Sequence, residues 1–416
     1  MIEPGSILTL DVEKPAAGGR MLARHKGQVV LVWGAIPGER IHARVERSTR
    51  SVLYAETTEV LSASPDRRDA GADWRCGGNV LAHVVYERQL TLKAEIVQDA
   101  FRRIGRVPLA SLPIVIGSPE RGYRMRARLH ARDGRLGFYR EGTHELCPVE
   151  ATGQLLPETV AWLASLEAVL QRHNLTGLTG FEFAENITGI ERASRVEVHE
   201  GVDASRFSAL VSAEQTVTDV LRVKDEDPAS TLRLRRNVRS FFQGNRFLLE
   251  RLVRHVLALV PDGPVVDLYA GVGLFGLSLA AAGAEDVTLV EGDGASGADL
   301  IANAEPLIER VRVHRASVET VLAAGLLRGT RPTGDATRGD ATFIVDPPRT
   351  GMSKDALAGI IRHAPARLVY VSCDVATLAR DTRTLLDAGY ALEGMIGIDL
   401  FPNTAHVETI ATFHRS

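Results

Sequence analysis

The stretch DLYAGVGLFG, residues 267–276, leads from one apolar run into another. A strand that passes through glycines into a helix is typical of nucleotide-binding α/β sheets, because glycine lets the backbone approach a ligand closely at the carboxyl end of the strand. Dinucleotide folds use similar turns, so the motif alone is a weak signal. The next apolar run ends at Glu291, about 20 residues further on, where a carboxylate can bind both hydroxyls of a ribose or simply lie in solvent.

Apolar runs of strand length alternate with helical patterns around this stretch, from about residue 237 onward. The alternation predicts a doubly wound, Rossmann-like α/β sheet over residues 237–416, with no clear helix between its last two strands. The predicted strands are 265–269, 287–290, 311–313, 343–345, 368–371, 391–400 and 407–413.

Two further domains are predicted before this sheet. Residues 1–62 contain four short runs rich in β-branched residues, with Gly18-Gly19 and Pro37-Gly38 between them, which predicts a small β-barrel. Residues 63–236 are mixed and predict a central α+β domain. A helix over 83–105 has apolar residues at steps of three and four, and is a candidate to pack on the C-terminal domain. The four β runs are 6–12, 27–32, 40–46 and 52–61.

Composition narrows the classes of protein. The 416 residues are 45% hydrophobic and 24% charged, with a net charge of -3, which is ordinary for a globular protein. No apolar run approaches the roughly 20 residues that cross a bilayer, and no charged-then-apolar leader opens the chain, so we expect a cytoplasmic protein with no membrane partner. The three cysteines, Cys76, Cys147 and Cys373, exclude a disulfide scaffold and a four-cysteine metal site within one chain.

Three polar groups stand at the ends of predicted strands. Asp346 follows the fourth strand and is succeeded by two prolines, which cannot continue a central ladder, so the chain must turn out there. Cys373 follows the next strand; a single cysteine is usually a small buried hydrophobe, but its place just beyond the apolar run favours a chemical role. Glu408 opens the last strand, where a solvated or ion-paired carboxylate is the ordinary alternative.

These motifs recur in a known order. They are SFFQ at 240–243, DLYAGVG at 267–273, DPPR at 346–349, SC at 372–373 with ATLARD at 376–381, and HVE at 406–408. Together they resemble the RNA (uracil-5-)-methyltransferase family, across the whole C-terminal domain. The first domain, with Gly18-Gly19 and PGER at 37–40, resembles the TRAM module, an OB-like barrel. The resemblance therefore covers nearly the full chain.

The resemblance implies an S-adenosylmethionine-dependent enzyme that methylates carbon 5 of a uridine in structured RNA, either tRNA or 23S rRNA. In this mechanism the thiolate of Cys373 adds to carbon 6, which makes carbon 5 nucleophilic, and Glu408 later removes the proton from carbon 5. Asp346 is implied to orient the target base. The cofactor-binding residues that the resemblance implies are Gln243, Tyr269, Gly271, Gly273, Glu291 and Asp346.

Two departures from the family pattern lie in the site. Asp374-Val375 follows the cysteine where Asn-Pro is common, and we expect the charge of Asp374 to raise the pKa of the Cys373 thiol, with Arg349 or Arg380 offsetting it. Leu274 stands where many members have a polar residue that touches the cofactor.

Many family members also carry an iron–sulfur cluster on four cysteines of the central domain. Here Cys76 and Cys147 match two of those ligands, Asn79 replaces a third, and the remaining one has no cysteine counterpart. With Cys373 as the nucleophile, two thiols are too few for an ordinary cluster, so we expect no iron–sulfur cluster and no other metal. The resemblance makes Cys76 and Cys147 adjacent remnants that can form a disulfide on oxidation.

Two arginine patches predict RNA contacts. Arg124, Arg126 and Arg128 lie in a basic β-rich stretch where alternate residues would share a face, and Arg235 and Arg236 lie just before the C-terminal domain. Guanidinium groups suit phosphates and stack on unpaired bases, although a solvated basic face is the ordinary alternative. We expect a monomer that binds structured RNA and flips the target uridine out of its stack.

Two other functions stay open. An RNA cytosine-5 methyltransferase generally has a similar sheet, but it places a second cysteine after the fourth strand, where this chain has DPPR at 346–349. A catalytically weak RNA-binding or RNA-folding factor that retains the methyltransferase fold is compatible with Asp374 and with the lost cluster ligands.

Overall fold

The N-terminal residues form a closed five-stranded barrel in the computed structural model, which describes residues 2–71, 73–224, 230–325, 327 and 339–415. The barrel closes because β1 pairs with both β2 and β4. Along β1, Leu8, Leu10 and Val12 alternate inward, as a strand with one buried face requires. The strands are β1 (Ile7–Pro15), β2 (Met21–His25), β3 (Gln28–Trp33), β4 (Arg40–Ser48) and β5 (Val52–Ser62).

The predicted barrel is confirmed, but one of its strands, β2, was not predicted. This strand pairs with β3 through a tight turn at Lys26 and Gly27, which have φ of 49° and 84°. Positive φ at both central residues is the geometry of a two-residue hairpin turn, and the basic residues of β2 hide its strand character in the sequence.

The central region contains a five-stranded antiparallel sheet with helix α2 against one face. Leu163, Leu166 and Leu170 of α2 pack with Phe181 and Phe183 of the sheet. The strand order is β11-β10-β7-β8-β9, and β12 and β13 form a separate hairpin. The elements of the central region are α1 (Tyr86–Ala100), β6 (Ile114–Ile116), β7 (Arg126–Arg132), β8 (Arg135–Tyr139), β9 (Leu146–Pro148), α2 (Pro157–Arg172), β10 (Leu178–Glu185), β11 (Arg192–Val198), β12 (Thr216–Arg222) and β13 (Thr231–Asn237).

The C-terminal region is an eight-stranded sheet of order β16-β15-β14-β17-β18-β20-β19-β6. The strands from β16 to β18 are parallel, and β20 runs antiparallel to both β18 and β19. The fold class is therefore confirmed as a barrel, a central α+β region and an α/β sheet. The remaining elements are α3 (Leu249–Ala258), β14 (Val265–Leu268), α4 (Gly276–Ala281), β15 (Val287–Val290), α5 (Gly294–Ala304), β16 (Val311–His314), α6 (Val318–Ala324), β17 (Gly339–Val345), α7 (Lys354–His363), β18 (Pro365–Ser372), α8 (Val375–Asp387), β19 (Tyr390–Ile398) and β20 (Glu408–Arg415).

Part of the central sequence packs on the C-terminal sheet. Strand β6 adds to its edge, where Ile114 pairs with Ile396 of β19. Val97 of α1 and Phe101 just after it belong to the core of that sheet, and Leu234 of β13 belongs to its other core cluster. Among the described residues, no helix has the length and apolar character that a membrane span needs.

Cys76 and Cys147 form a disulfide. The two residues are 71 positions apart and both are buried, Cys76 in the turn-rich segment after the barrel and Cys147 on β9. Within the described ranges, no three His, Cys, Asp or Glu side chains are grouped so that they could hold a metal ion.

Reduction of this disulfide should destabilise the central region. A cross-link across such a long loop restricts the unfolded chain, which the chain-entropy account values at about 4 kcal/mol. We expect Cys147→Ser to lower the Tm measured by calorimetry under non-reducing conditions, and dithiothreitol to lower the Tm of the unsubstituted protein but not of the variant. An equal response of both proteins to dithiothreitol would contradict this role.

Candidate active site

Cys373, Asp346 and Glu408 meet at one edge of the C-terminal sheet. Asp346 follows β17, Cys373 follows β18, and Glu408 begins β20, and these strands are neighbours in the sheet. Ser372 pairs with Thr409 across β18 and β20, and Cys373 and Glu408 are the residues next to this pair at the edge of the sheet. They are close enough for the charge of Glu408 to act on the thiol.

The Cys373 thiol is half-buried beside carboxylates. Burial, and then the charges of Glu408 and Asp346, raise the pKa of Cys373 to about 12, while Arg349 acts in the opposite direction. The thiol form therefore dominates near neutral pH in the ligand-free protein.

The carboxylate of Asp374 does not have the effect expected from the sequence. Its Oδ1 accepts a hydrogen bond of 2.8 Å from the backbone N–H of Thr377 and caps the N-terminus of α8. The charges that act on the thiol come instead from Glu408 and Asp346, on neighbouring strands. Of the two expected compensating arginines, Arg349 lowers the pKa of Cys373, whereas Arg380 pairs with Asp381.

Glu408 and Asp346 are carboxyl groups with raised pKa values. Glu408 is 3% exposed, its Oε1 accepts no hydrogen bond from any described residue, and burial together with the charge of Asp346 holds its pKa well above the usual range. Burial raises the pKa of Asp346 to about 7, although the Nε2 of Gln243 donates to its Oδ2 at 3.3 Å and opposes the shift. The carboxyl of Asp346 can therefore take up and release a proton near neutral pH, and burial favours the neutral form of Glu408 in the ligand-free protein.

The glycine turn after β14 faces Glu291. The backbone N–H of Gly271 donates to Glu291 Oε2 at 2.7 Å, and that of Asp293 donates to Oε1 at 2.6 Å. Gly271 has φ of 58° and nothing lies within 4 Å of the position a Cβ would take, so the turn leaves room for a ligand. A Cβ on Gly273 would instead collide with Leu277, so this glycine allows close helix packing.

Tyr269, an expected cofactor residue, and Asp267, which was not predicted as a site residue, also lie at this edge. Tyr269 is half-buried, has φ of 63°, and packs against the sheet core. Asp267, on β14, is fully buried; its Oδ2 accepts from Gly276 at 2.8 Å and its Oδ1 has no partner among the described residues. Burial, with Asp346 and Glu291 nearby, raises the pKa of Asp267 to about 8. Leu274 is 6% exposed and packs in the core.

The first arginine patch is divided between two places. Arg126 and Arg128 lie on the open face of the central sheet, where Arg126 donates to Glu182 at 3.1 Å and Arg128 to Glu197 at 2.5 Å. Arg124 precedes β7 and lies over the rings of Phe138 and Phe401, so it borders the loop between β19 and β20 rather than the sheet face.

Arg236 does not belong to an RNA-binding patch. It is fully buried, its Nε donates to Asp219 at 2.7 Å, and its guanidinium lies 4.4 Å from the ring centre of Phe242. The alternation of β13 turns Arg236 inward and leaves its neighbour Arg235 exposed. The prediction for Arg236 is therefore wrong, because two adjacent strand residues cannot both face solvent here.

Three aromatic residues on this surface were not predicted as functional. His130 and Tyr139 stack with ring centres 3.5 Å apart on the open face of the central sheet, and Phe241 is 59% exposed beneath the guanidinium of Arg126. The alternation 126, 128, 130 along β7 could have indicated His130, and Phe241 stands in the SFFQ motif beside Gln243.

The model of the tRNA (uracil-5-)-methyltransferase family matches residues 182–416, more than half of the chain, and the TRAM domain model matches residues 3–58. The chain belongs to the uracil-5 RNA methyltransferase family. The resemblance inferred from the motifs is thereby confirmed, and the family favours uracil over the cytosine-5 alternative.

Relatives match along nearly the whole chain. The 23S rRNA (uracil(1939)-C(5))-methyltransferase RlmD of Pseudomonas putida is 32% identical, over 97% of this chain and 93% of the relative. The protein of the same name from Halomonas elongata is 31% identical, over 96% and 88%. The crystal structure of the Pyrococcus abyssi tRNA (uracil-54, C5)-methyltransferase in complex with S-adenosyl-L-homocysteine has a TM-score of 0.72 over 97% of this chain and 99% of that one; at 22% identity it shows the shared fold.

Arg349 should control the reactivity of the thiol. Since Cys76 and Cys147 are joined, alkylation by iodoacetamide under non-reducing conditions reports on Cys373 alone. We expect Arg349→Met to raise the pKa of Cys373 and to slow alkylation at about pH 9 by roughly two- to tenfold, because the thiolate is the reacting form. Arg349→Lys, which keeps the charge, and Arg383→Met, which removes an exposed arginine of α8, should react like the unsubstituted protein. An unchanged rate in Arg349→Met would show that its charge does not reach the thiol.

Proposed function

We propose that this protein methylates carbon 5 of a uridine in structured RNA, with S-adenosylmethionine as the methyl donor. The observation that carries the proposal is the pairing of β18 with β20, which brings Cys373 close to the buried carboxyl of Glu408, whose Oε1 has no hydrogen-bond partner among the described residues, with Asp346 near both. A nucleophile and a base on the same side of one small site are what an addition–elimination reaction requires.

Carbon 5 of uracil is too weak a nucleophile to accept a methyl group unaided. Addition of the Cys373 thiolate to carbon 6 moves electron density to carbon 5 and to the carbonyl oxygen at carbon 4. The sulfonium of S-adenosylmethionine supplies the methyl group. Glu408 then takes the remaining proton from carbon 5, the double bond to carbon 6 re-forms, and Cys373 leaves as a thiolate. A positioned general base contributes about two to four orders of magnitude to such a step.

Asp346 and Gln243 are the candidates to hold the base. The carboxyl of Asp346, with a pKa near 7, can donate to a carbonyl or accept from an N–H, and Gln243 offers both an amide N–H and a carbonyl. Their mutual hydrogen bond of 3.3 Å is long, so a base can exchange with it at low cost.

The residues present fit S-adenosylmethionine. Asp267, Glu291 and Asp346 bring three carboxyl groups to the ends of neighbouring strands, and each has a raised pKa because its charged form is poorly solvated there. A cationic ligand would stabilise their charged forms. Glu291 would accept from the ribose hydroxyls, and the open turn at Gly271 would admit the cofactor beside Tyr269.

A second function is supported by one observation. Cys373 has a pKa near 12, so a protein that binds RNA through this fold without efficient methyl transfer is a physical alternative. The charges that would favour the thiolate are Arg349 and a bound sulfonium, and activity therefore depends on both being near Cys373 during the reaction.

RNA is proposed to reach the site across the open face of the central sheet. That face carries Arg126, Arg128 and the stacked pair His130–Tyr139, and Phe241 lies between it and Gln243. Antiparallel sheets that expose aromatic and basic residues bind unpaired nucleotides by stacking and by phosphate contacts. The relatives act on 23S rRNA and on tRNA, so both are candidate substrates.

Incubation with methyl-labelled S-adenosylmethionine and unmodified 23S rRNA fragments or tRNA tests the activity. We expect label in 5-methyluridine with one of the two RNAs, and loss of transfer by at least about a hundredfold in Cys373→Ala, because the covalent step is removed. Glu408→Gln should instead accumulate a covalent protein–RNA adduct that is visible after denaturing electrophoresis. RNA binding without any transfer would favour the second function, and a freely dissociating methylated product from Glu408→Gln would exclude Glu408 as the base.

Arg128 tests the RNA path separately from the chemistry. It is exposed on β7 of the central sheet and is not one of the residues at the strand ends that carry the site. We expect Arg128→Ala to weaken RNA binding, measured by fluorescence anisotropy, and to reduce the slope of log affinity against log salt concentration by about 0.7–0.9, as the loss of one phosphate contact does. Arg383→Ala, an exposed arginine of α8, is the matched control. Identical affinities would show that RNA does not cross this face.

A further inference from the structure

The loop that leads into Glu408 is held by a helix from another part of the chain. Residues 399–407 connect β19 to β20, and Lys93 of α1 forms an ion pair with Asp399 in which both side chains are completely buried. The Nζ of Lys93 also donates to the carbonyl of Phe401 at 3.0 Å, and the hydroxyl of Tyr86 donates to Asp399 Oδ2 at 3.0 Å.

The same helix fixes the loop a second time at Asn403. Gln89 and Asn403 exchange two hydrogen bonds: Gln89 Nε2 donates to Asn403 Oδ1 at 2.9 Å, and the Asn403 N–H donates to Gln89 Oε1 at 2.9 Å. The carbonyl of Asn403 accepts from the N–H of Leu81 at 2.8 Å. Asn403 has φ of 64°, a conformation that needs such support.

These anchors lie next to the position of Glu408. Ile398 pairs with Glu408 across β19 and β20, and Asp399 is the next residue after Ile398. A shift of Asp399 would therefore move the immediate cross-strand neighbour of Glu408. Gln89 and Lys93 are one helical turn apart, so they present both anchors from the same side of α1.

Stability alone does not require a charge at this place. A buried ion pair gains little over well-packed apolar side chains, because both ions lose their hydration. The ammonium of Lys93 instead provides directional hydrogen bonds. It donates to the Asp399 carboxylate and to the Phe401 carbonyl, and so fixes two points of the loop. Neither Lys93 nor Asp399 is among the residues proposed to bind RNA or cofactor.

We propose that Lys93 is a positioning residue for Glu408, holding the 399–407 loop so that the carboxyl lies in reach of carbon 5 of the methylated base. The inference rests on the proposed role of Glu408 as the base. The affected step is elimination: the carbon 5–hydrogen bond breaks, the proton passes to Glu408, its electron pair forms the carbon 5–carbon 6 double bond, and the carbon 6–sulfur bond breaks to release the Cys373 thiolate.

The experiment compares two rates in the full-length protein with its RNA substrate and labelled S-adenosylmethionine. Formation of the covalent adduct is followed in a single turnover, and its decay to free methylated RNA is followed after a chase. For Lys93→Met we expect decay to slow by about ten- to a hundredfold, while adduct formation changes much less, because a base displaced by about 1 Å loses most of its effect.

Three further variants make the result decisive. Lys93→Met leaves Asp399 buried without its partner, so Lys93→Met/Asp399→Asn is included to remove both charges and to retain a fold if the single variant unfolds; it should show the same slow decay. Lys93→Arg, which keeps a cationic donor, should restore much of the rate. Lys14→Met removes a different ion pair to α1, that with Asp99, and should leave both rates unchanged.

Glu408→Gln is measured in the same assay and separates the two proposals. Suppose that Glu408→Gln blocks adduct decay. If the folded Lys93 variants then slow adduct formation and adduct decay equally, or change neither rate, the positioning role is overturned and the proposed function stands. If Glu408→Gln itself releases product at the normal rate, Glu408 is not the base and both proposals are overturned. Slow decay in Glu408→Gln and in both Lys93→Met variants, with correction by Lys93→Arg, supports the positioning role.

Discussion

The antiparallel pairing of β20 with β18 is the constraint on which the site depends. In a parallel sheet every strand brings its carboxyl end to the same edge, so all the side chains at that edge come from residues that follow a strand. A reversed strand brings its amino end to that edge, and here the first residue of β20 is Glu408, which lies near Cys373. Since side chains alternate along a strand, a register shift of one residue would turn Glu408 to the other face of the sheet.

This arrangement is electrostatically unfavourable in the absence of ligands. The carboxyls of Asp267, Asp346 and Glu408 and the thiol of Cys373 are all shifted towards their neutral forms by burial, and each negative charge makes the next one harder to form. At the thiol, the charge of Arg349 and a backbone hydrogen bond at Cys373 oppose this trend. A site of this kind is expected to reach its reactive protonation state when a cation enters, which couples thiol activation to binding of the methyl donor.

The sequence allowed the sheet to be predicted because buried parallel strands are continuous apolar runs, and the turn residues after them indicated the edge that carries the chemistry. It did not reveal β6, since a run of three residues has meaning only beside β19. The sequence also led to two wrong expectations. Arg236 was expected on the surface but faces inward, and Asp374 was expected to act on the thiol but caps α8. Both outcomes depend on the direction in which a side chain points, which neighbouring charges in the sequence do not reveal. The contacts between α1 and the 399–407 loop join residues that are more than 300 positions apart in the sequence, for example Lys93 and Asp399. No local sequence pattern could therefore indicate them.

The central sheet and the C-terminal sheet pack directly against each other near the candidate site. The chain enters β7 through a bridge between Arg124 and Asn245, two residues after Gln243. The guanidinium of Arg124 contacts both Phe138 of the central sheet and Phe401 of the 399–407 loop. Met125 donates its N–H to the carbonyl of Gly244 at 3.0 Å within the same contact. These short-range contacts fix the open face of the central sheet relative to Cys373. On the proposed RNA path, a nucleotide bound on that face would be held at a set distance from the thiol, and the choice of uridine would follow from how many nucleotides of a folded RNA can span that distance.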